Sequence, residues 1–162
     1  MNRHEELLDS LLPSVYESLL AFSLRDRDDS ADNSIANLTH VKRAKLNCRA
    51  AENLFLTDDV LVYLSTTWKD VKNDIYLWLK SNDTHKFFDE MKKFKEDGFD
   101  RQNADLKKIR NILLGILPTS KPWEVLVGQV VAKQAMQEKF SETHLAEFIG
   151  KDMIEFIETV IR

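Results

Sequence analysis

The chain predicts an all-α protein, a single compact bundle of about six or seven helices with residues 1–162 forming one domain. Three observations carry that expectation. Only four glycines and three prolines stand among 162 residues, and tight turns and left-handed backbone depend on these residue types, so hairpins should be few. They fall almost entirely between the apolar-periodic segments. Inside those segments, apolar residues recur every three or four positions, the repeat of one helical face.

Residues 4–25 open the series. Leu8, Leu11, Leu12, Val15, Leu19 and Phe22 keep one side apolar. Pro13 either kinks this helix or begins a second, since it lacks a backbone donor and crowds the preceding turn. Asp26 to Ser34 has almost nothing to bury and predicts a solvated loop. A second helix is expected from about Ser34 to Phe55, with Val41, Ala44, Cys48, Ala51 and Phe55 as its buried stripe.

Thr57-Asp58-Asp59 makes a good helix start, a hydroxyl cap followed by carboxylates suited to the positive helix end. Leu61, Leu64, Trp68, Val71, Ile75 and Trp78 then give the strongest periodic signal in the chain. Val62, Tyr63 and Leu77 fall on other faces, which places this helix at the centre of the bundle. Its β-branched pair Thr66-Thr67 marks a candidate bend.

Ser81 to Thr84 closes that helix and caps a short one carrying Phe87, Phe88, Met91 and Phe94, which Asp97-Gly98 ends. The next runs from about Asn103 to Leu117 and stops at Pro118. Thr119 to Pro122 caps a helix through about Glu138. Its residues 125–131 also suit a strand, but the Ala-rich continuation favours helix. The last begins at Ser141-Glu142 with Leu145, Ile149, Met153, Phe156 and Val160 as apolar positions. Gly150 is either internal to it or divides it in two.

Composition narrows the function class. Hydrophobic residues at 43% and charged residues at 31% suit a soluble globular chain. A net charge of −4 is too small to keep it extended and does not suit a dedicated nucleic-acid binder. Cys48 is the single cysteine, so no internal disulfide forms. No apolar run reaches the roughly 20 residues of a membrane span, and the N-terminus has no secretory pattern. A cytoplasmic protein is expected, with nucleic acid disfavoured and no membrane partner.

No catalytic, cofactor-binding or metal-ligating set is expected. His4, His40, His85 and His144 lie on separate segments without the spacing of zinc or di-iron sites. Cys48, on an apolar stripe, suits an inert buried thiol. Glu5-Glu6-x-x-Asp9 and Glu155-x-x-Glu158 superficially resemble the acidic elements with which all-helical nucleotide pyrophosphohydrolases hold magnesium, in the wrong order and at opposite ends. That resemblance implies the alternative function, a magnesium-dependent hydrolase of nucleotides or RNA with carboxylates converging between helices. Arg110-Asn111 resembles the opening of the HEPN ribonuclease motif, whose histidine does not follow.

What remains is surface. Lys42, Arg43, Lys45 and Arg49 form a basic run, candidate contacts to phosphate. Tyr63, Tyr76, Leu77, Phe87 and Phe88 are surplus apolar residues, candidates for a partner to cover. The expected function is non-enzymatic: a regulator, adaptor or immunity-type binder acting on another protein or a second copy of itself, without a cofactor.

Overall fold

Helices dominate the computed structural model, which describes residues 2–15, 20–30, 35–136, 140–151 and 153–155. They are joined by a two-stranded parallel sheet, so the chain is mostly helical without being all-α. In order, the described elements are α1 (Asn2–Val15), β1 (Ala21–Arg25), β2 (Val41–Lys45), a 3-10 helix (Ala51–Leu56), α2 (Asp58–Tyr63) and α3 (Trp68–Ser81). Then follow α4 (Phe88–Glu96), α5 (Arg110–Ile116), α6 (Trp123–Ala135), a short 3-10 turn (Phe140–Glu142) and α7 (His144–Ile149).

The sheet corrects two expected helices. The first ends at Val15, with Pro13 still inside it, and the one expected from Ser34 to Phe55 is replaced by β2 and the 3-10 helix. Parallel strands are joined by a long connection rather than a tight turn, so a scarcity of Gly and Pro does not bear on them. The strands align from Ala21 opposite Val41 to Arg25 opposite Lys45. Ala21 N–H donates to the His40 carbonyl at 2.8 Å, and Leu46 N–H to that of Arg25 at 2.9 Å. The outer edge of β2 is occupied from within the chain. Leu38 N–H donates to the Val41 carbonyl at 2.9 Å, and Arg43 N–H to Asn37 Oδ1 at 2.7 Å.

The long helix expected from Thr57 to Trp78 is two. Ser65 takes a left-handed φ of 58°, and Thr67 then caps α3, accepting from Asp70 N–H at 3.3 Å while Asp70 Oδ2 accepts from Thr67 N–H at 3.1 Å. The threonine pair is therefore a restart rather than a bend. At the first start, Thr57 donates its hydroxyl back to the Leu54 carbonyl at 2.9 Å instead of capping forward.

The central position falls to α2, which packs on α6, α7 and the 3-10 helix, while α3 packs on α4 and α5. Val71 and Ile75 of α3 are buried, but Trp68 is half-buried under Phe94, Phe99 and Arg101. One contiguous core runs through the body, from Phe55, Leu56 and Leu61 to Leu126, Phe140 and Leu145. Residues 125–131 are helical. The helix expected from Asn103 keeps only Arg110–Ile116, because residues 101–104 turn around Asn53, whose amide donates to the Arg101 and Ala104 carbonyls at 2.8 and 3.0 Å. Gly150, at φ 100°, ends α7, and residues 153–155 are helical beyond it. Leu19, residues 31–34, Glu138, Phe156, Glu158 and Val160 lie outside the described residues.

Candidate partner-binding surface

Helix α1 is mounted with Glu5 and Asp9 turned inward, while Arg3 and Glu6 stay exposed. Glu5 Oε1 accepts from Arg25 Nε at 2.9 Å and from the Ser23 hydroxyl, and its Oε2 meets Arg25 Nη2. Arg43 Nε lies 2.9 Å from the same Oε2, an ion pair without hydrogen-bond alignment. The Arg25 hydrogen bond holds the Glu5 carboxyl down to about 2, helped by Ser23 and the two guanidinium charges and opposed by partial burial. One turn on, Asp9 Oδ1 accepts from His40 N–H at 2.5 Å and Val41 N–H at 3.0 Å. Leu12, at 8% exposure, completes the face turned to the sheet.

The apolar flank is consequently left outside. Leu7 is 56% exposed and Val15 65%, with Leu8 at 42% and Leu11 at 51%. A helix on a folded body ordinarily turns this stripe to the core and its carboxylates to water. Here Glu5 and Asp9 face the sheet, and of the stripe only Leu12 does.

Strand β1 adds to the same region. Ala21, Ser23 and Arg25 turn their side chains toward α1 and their backbone groups toward β2. Alternation therefore sends the backbone groups of Phe22 and Leu24 to the opposite edge, and their exposed side chains to the face away from α1. Seven of the thirteen exposed large apolar side chains among the described residues lie between Leu7 and Leu24, so this stretch holds the main apolar surface. The alternation of Phe22 and Leu24 with Ala21, Ser23 and Arg25 is the sequence signal for β1. Nothing in the sequence tells which flank of α1 meets the protein.

The partner residues expected from sequence do not gather into one patch. Tyr63 is exposed against α6, its hydroxyl 3.3 Å from Gln129 Oε1 and its ring beneath Lys121 and Lys133. Tyr76 is exposed on another side, edge-on to Phe99 with Lys95 over its ring. Leu77 is exposed, and Phe87 and Phe88 are half-buried, Phe87 packing on the core beside His85. The basic run is divided by the strand that carries it. Arg43 faces Glu5, Lys42 takes the opposite face, Lys45 ends β2, and Arg49 pairs with Asp29.

A cleft of about 440 Å³ is lined by Asp58, Asp59, Tyr63, Lys133, Gln134 and His144. Its carboxylates serve the fold. Asp59 accepts from Leu145 N–H at 2.7 Å and from Gln134 Nε2 at 3.1 Å, while Asp58 Oδ1 accepts from Arg101 Nη1 at 2.6 Å. His144 Nδ1 accepts from Asp58 N–H at 3.0 Å, so its ring lone pair is engaged and Nε2 is left as a donor. Of the other acidic candidates, Glu5 and Asp9 hold α1 to the sheet, and Glu155 lines a separate cleft with Asn47 and Lys151. Among the described residues no group of three or more His, Cys, Asp or Glu is placed to hold a metal, and no helix is long and apolar enough to cross a membrane. No protein family, curated protein or solved structure matches the chain.

Proposed function

We propose that the protein acts through protein–protein contact, as a regulator, adaptor or immunity-type binder in the cytoplasm, and that the contact is made by the outer flank of α1. The inverted mounting of α1 carries this reading. Leaving four large apolar side chains in water gives up on the order of 1 kcal/mol or more each relative to covering them, and Glu5 and Asp9 fix the helix so that it cannot roll to hide them. The expected patch around Tyr63 and Tyr76 has less support, because each ring is already covered in part by lysine.

The test is capture from native lysate by the wild type and by the double variant Leu8→Lys, Leu11→Lys. Both positions are exposed, so the variant should keep its melting temperature within a few degrees while losing bound protein. Equal capture by the two chains places the contact elsewhere.

A further inference from the structure

We propose that α3 and α4 carry a second binding face, a set of lysines around Tyr76 without counterions, and that its occupant is an acidic segment of another protein. The inference goes beyond the preceding reading and does not depend on it.

The spacing of α3 builds the face. Val71 and Ile75 turn into the core, so Lys69, Asn73, Tyr76 and Lys80, repeating every three or four positions on another side, turn to water. All four are exposed, as is Leu77, three positions before Lys80. Lys72 is half-buried one turn before Tyr76. From α4, Lys95 brings its ammonium over the Tyr76 ring, 5.0 Å from the centroid, and Phe99 meets the ring edge-on at 5.7 Å.

These charges are not neutralised within the chain. No lysine of α3 has an acidic residue of the helix three or four positions away, the spacing at which helical ion pairs form. Asp70 turns back to Thr67, accepting from its N–H at 3.1 Å and its hydroxyl at 2.5 Å, and Asp74, four positions on, shares the Asp70 side of the helix. Among the described residues, Lys69, Lys72, Lys80 and Lys95 enter no ion pair. Their neighbours do: Lys92 stands 3.8 Å from Glu96, Lys93 2.7 Å from Asp97 and Lys108 2.8 Å from Glu90. The lysines over Tyr63 differ, because Lys121 Nζ donates to Gln129 at 2.8 Å, and Asp58 and Asp59 line the cleft beside Lys133.

In a chain of net charge −4, such a concentration of free positive charge is where an anion is drawn. Three features choose an acidic peptide over a nucleic acid. From Lys69 to Lys80 the helix rises roughly 16 Å, the reach of about five extended residues, and the acidic excess beyond it repels a longer polyanion. The Tyr76 ring, under Lys95 and against Phe99, is no open platform for a base. Leu77, at 59% exposure, is covered by an apolar side chain set among carboxylates but not by a phosphate backbone. Lysine ammonium groups are point charges on flexible stems, so they take carboxylates without a fixed geometry.

Fluorescence anisotropy at low salt tests the proposal with a labelled peptide of glutamate carrying leucine at every fourth position, beside labelled oligothymidylate of equal charge. The chains compared are the wild type, the Lys69→Glu, Lys80→Glu pair, and the Lys121→Glu, Lys133→Glu pair, which makes the same charge change around the other tyrosine. The expected result is peptide binding by the wild type, tighter than that of oligothymidylate and weakening as salt rises. The α3 pair should lose at least about tenfold in affinity and the control pair less than about threefold. No peptide binding by the wild type at low salt overturns the proposal. Equal losses in the two pairs also overturn it, since net charge alone then accounts for the binding. Tighter binding of oligothymidylate gives the face to nucleic acid and overturns the acidic segment. Should the α3 pair fail to fold by circular dichroism, Lys69→Gln, Lys80→Gln decides: affinity must fall at least about threefold, and an unchanged affinity overturns the proposal. None of these outcomes bears on the flank of α1, which lysate capture scores by itself.

Discussion

At the scale of single residues, two buried groups in the same stretch do different work. Cys48 is fully buried and donates its thiol to the Ala50 carbonyl at 3.2 Å. Burial pushes the thiol up to about 12, so it carries almost no thiolate near neutral pH. An alkylating reagent at pH 8 should label native protein at least about a hundredfold more slowly than denatured protein. Rapid native labelling, read by mass spectrometry, would contradict that burial. Asn53 is buried with its side chain fully engaged, accepting from Ala50 N–H at 3.1 Å and donating to two carbonyls of the 101–104 turn. Asn53→Ala should cost about 3 kcal/mol of unfolding free energy, because it strands one buried and two partly buried backbone groups. The inert thiol was legible in the sequence. The amide was not, since its partners lie some 50 positions on and no local spacing announces them.

Among elements, sequence periodicity found the helices and missed the sheet. Segments where burial runs along one stripe, α4 and α6, stand where expected because the repeat is itself the consequence of packing. Val41, Ala44 and Cys48 mimic that repeat by coincidence: Val41 is buried beneath α1, Ala44 packs on the core from the other face, and Cys48 lies beyond the strand. Parallel pairing over twenty residues leaves no local trace for a reader to find. Gly150 shows the opposite case, a glycine whose place in the last segment becomes clear from backbone geometry. Its φ of 100° and ψ of 151° suit glycine almost alone, and an added Cβ would stand 3.1 Å from Asn47 Oδ1. Asn47 in turn donates to the Glu147 carbonyl at 3.1 Å, tying the end of β2 to α7. Gly150→Ala should therefore lower stability by about 1–3 kcal/mol, measured by thermal or denaturant unfolding, and a neutral effect would mean that the joint relaxes freely.

Over the whole molecule, α1 joins the rest through polar bonds and a small apolar contact. Leu12 and Val41 are buried, yet neither belongs to the main core cluster. The grip of Glu5 has a sign in pH. Its folded value of about 2 lies below the ordinary 4.5, so its contribution is present above pH 4.5 and is lost as the pH falls from there toward 2. Amide protection in α1, taken relative to the intrinsic exchange rate at each pH, should fall over that interval in the wild type and be low and nearly flat with pH in Glu5→Gln. Identical pH profiles for the two chains would show that the carboxylate does not hold the helix. The candidate surface was half-legible for a related reason. Leu8, Leu11 and Val15 announce a stripe, but which side of α1 meets the sheet depends on Arg25, Arg43 and the amides of His40 and Val41, all far away in sequence.

Seated on β2, the Leu38 amide and the Asn37 side chain stopper one margin of the sheet. A margin closed in this way offers no template to a further strand, so a few residues of the connecting loop protect β2 from the edge-to-edge growth that bare strand pairs invite.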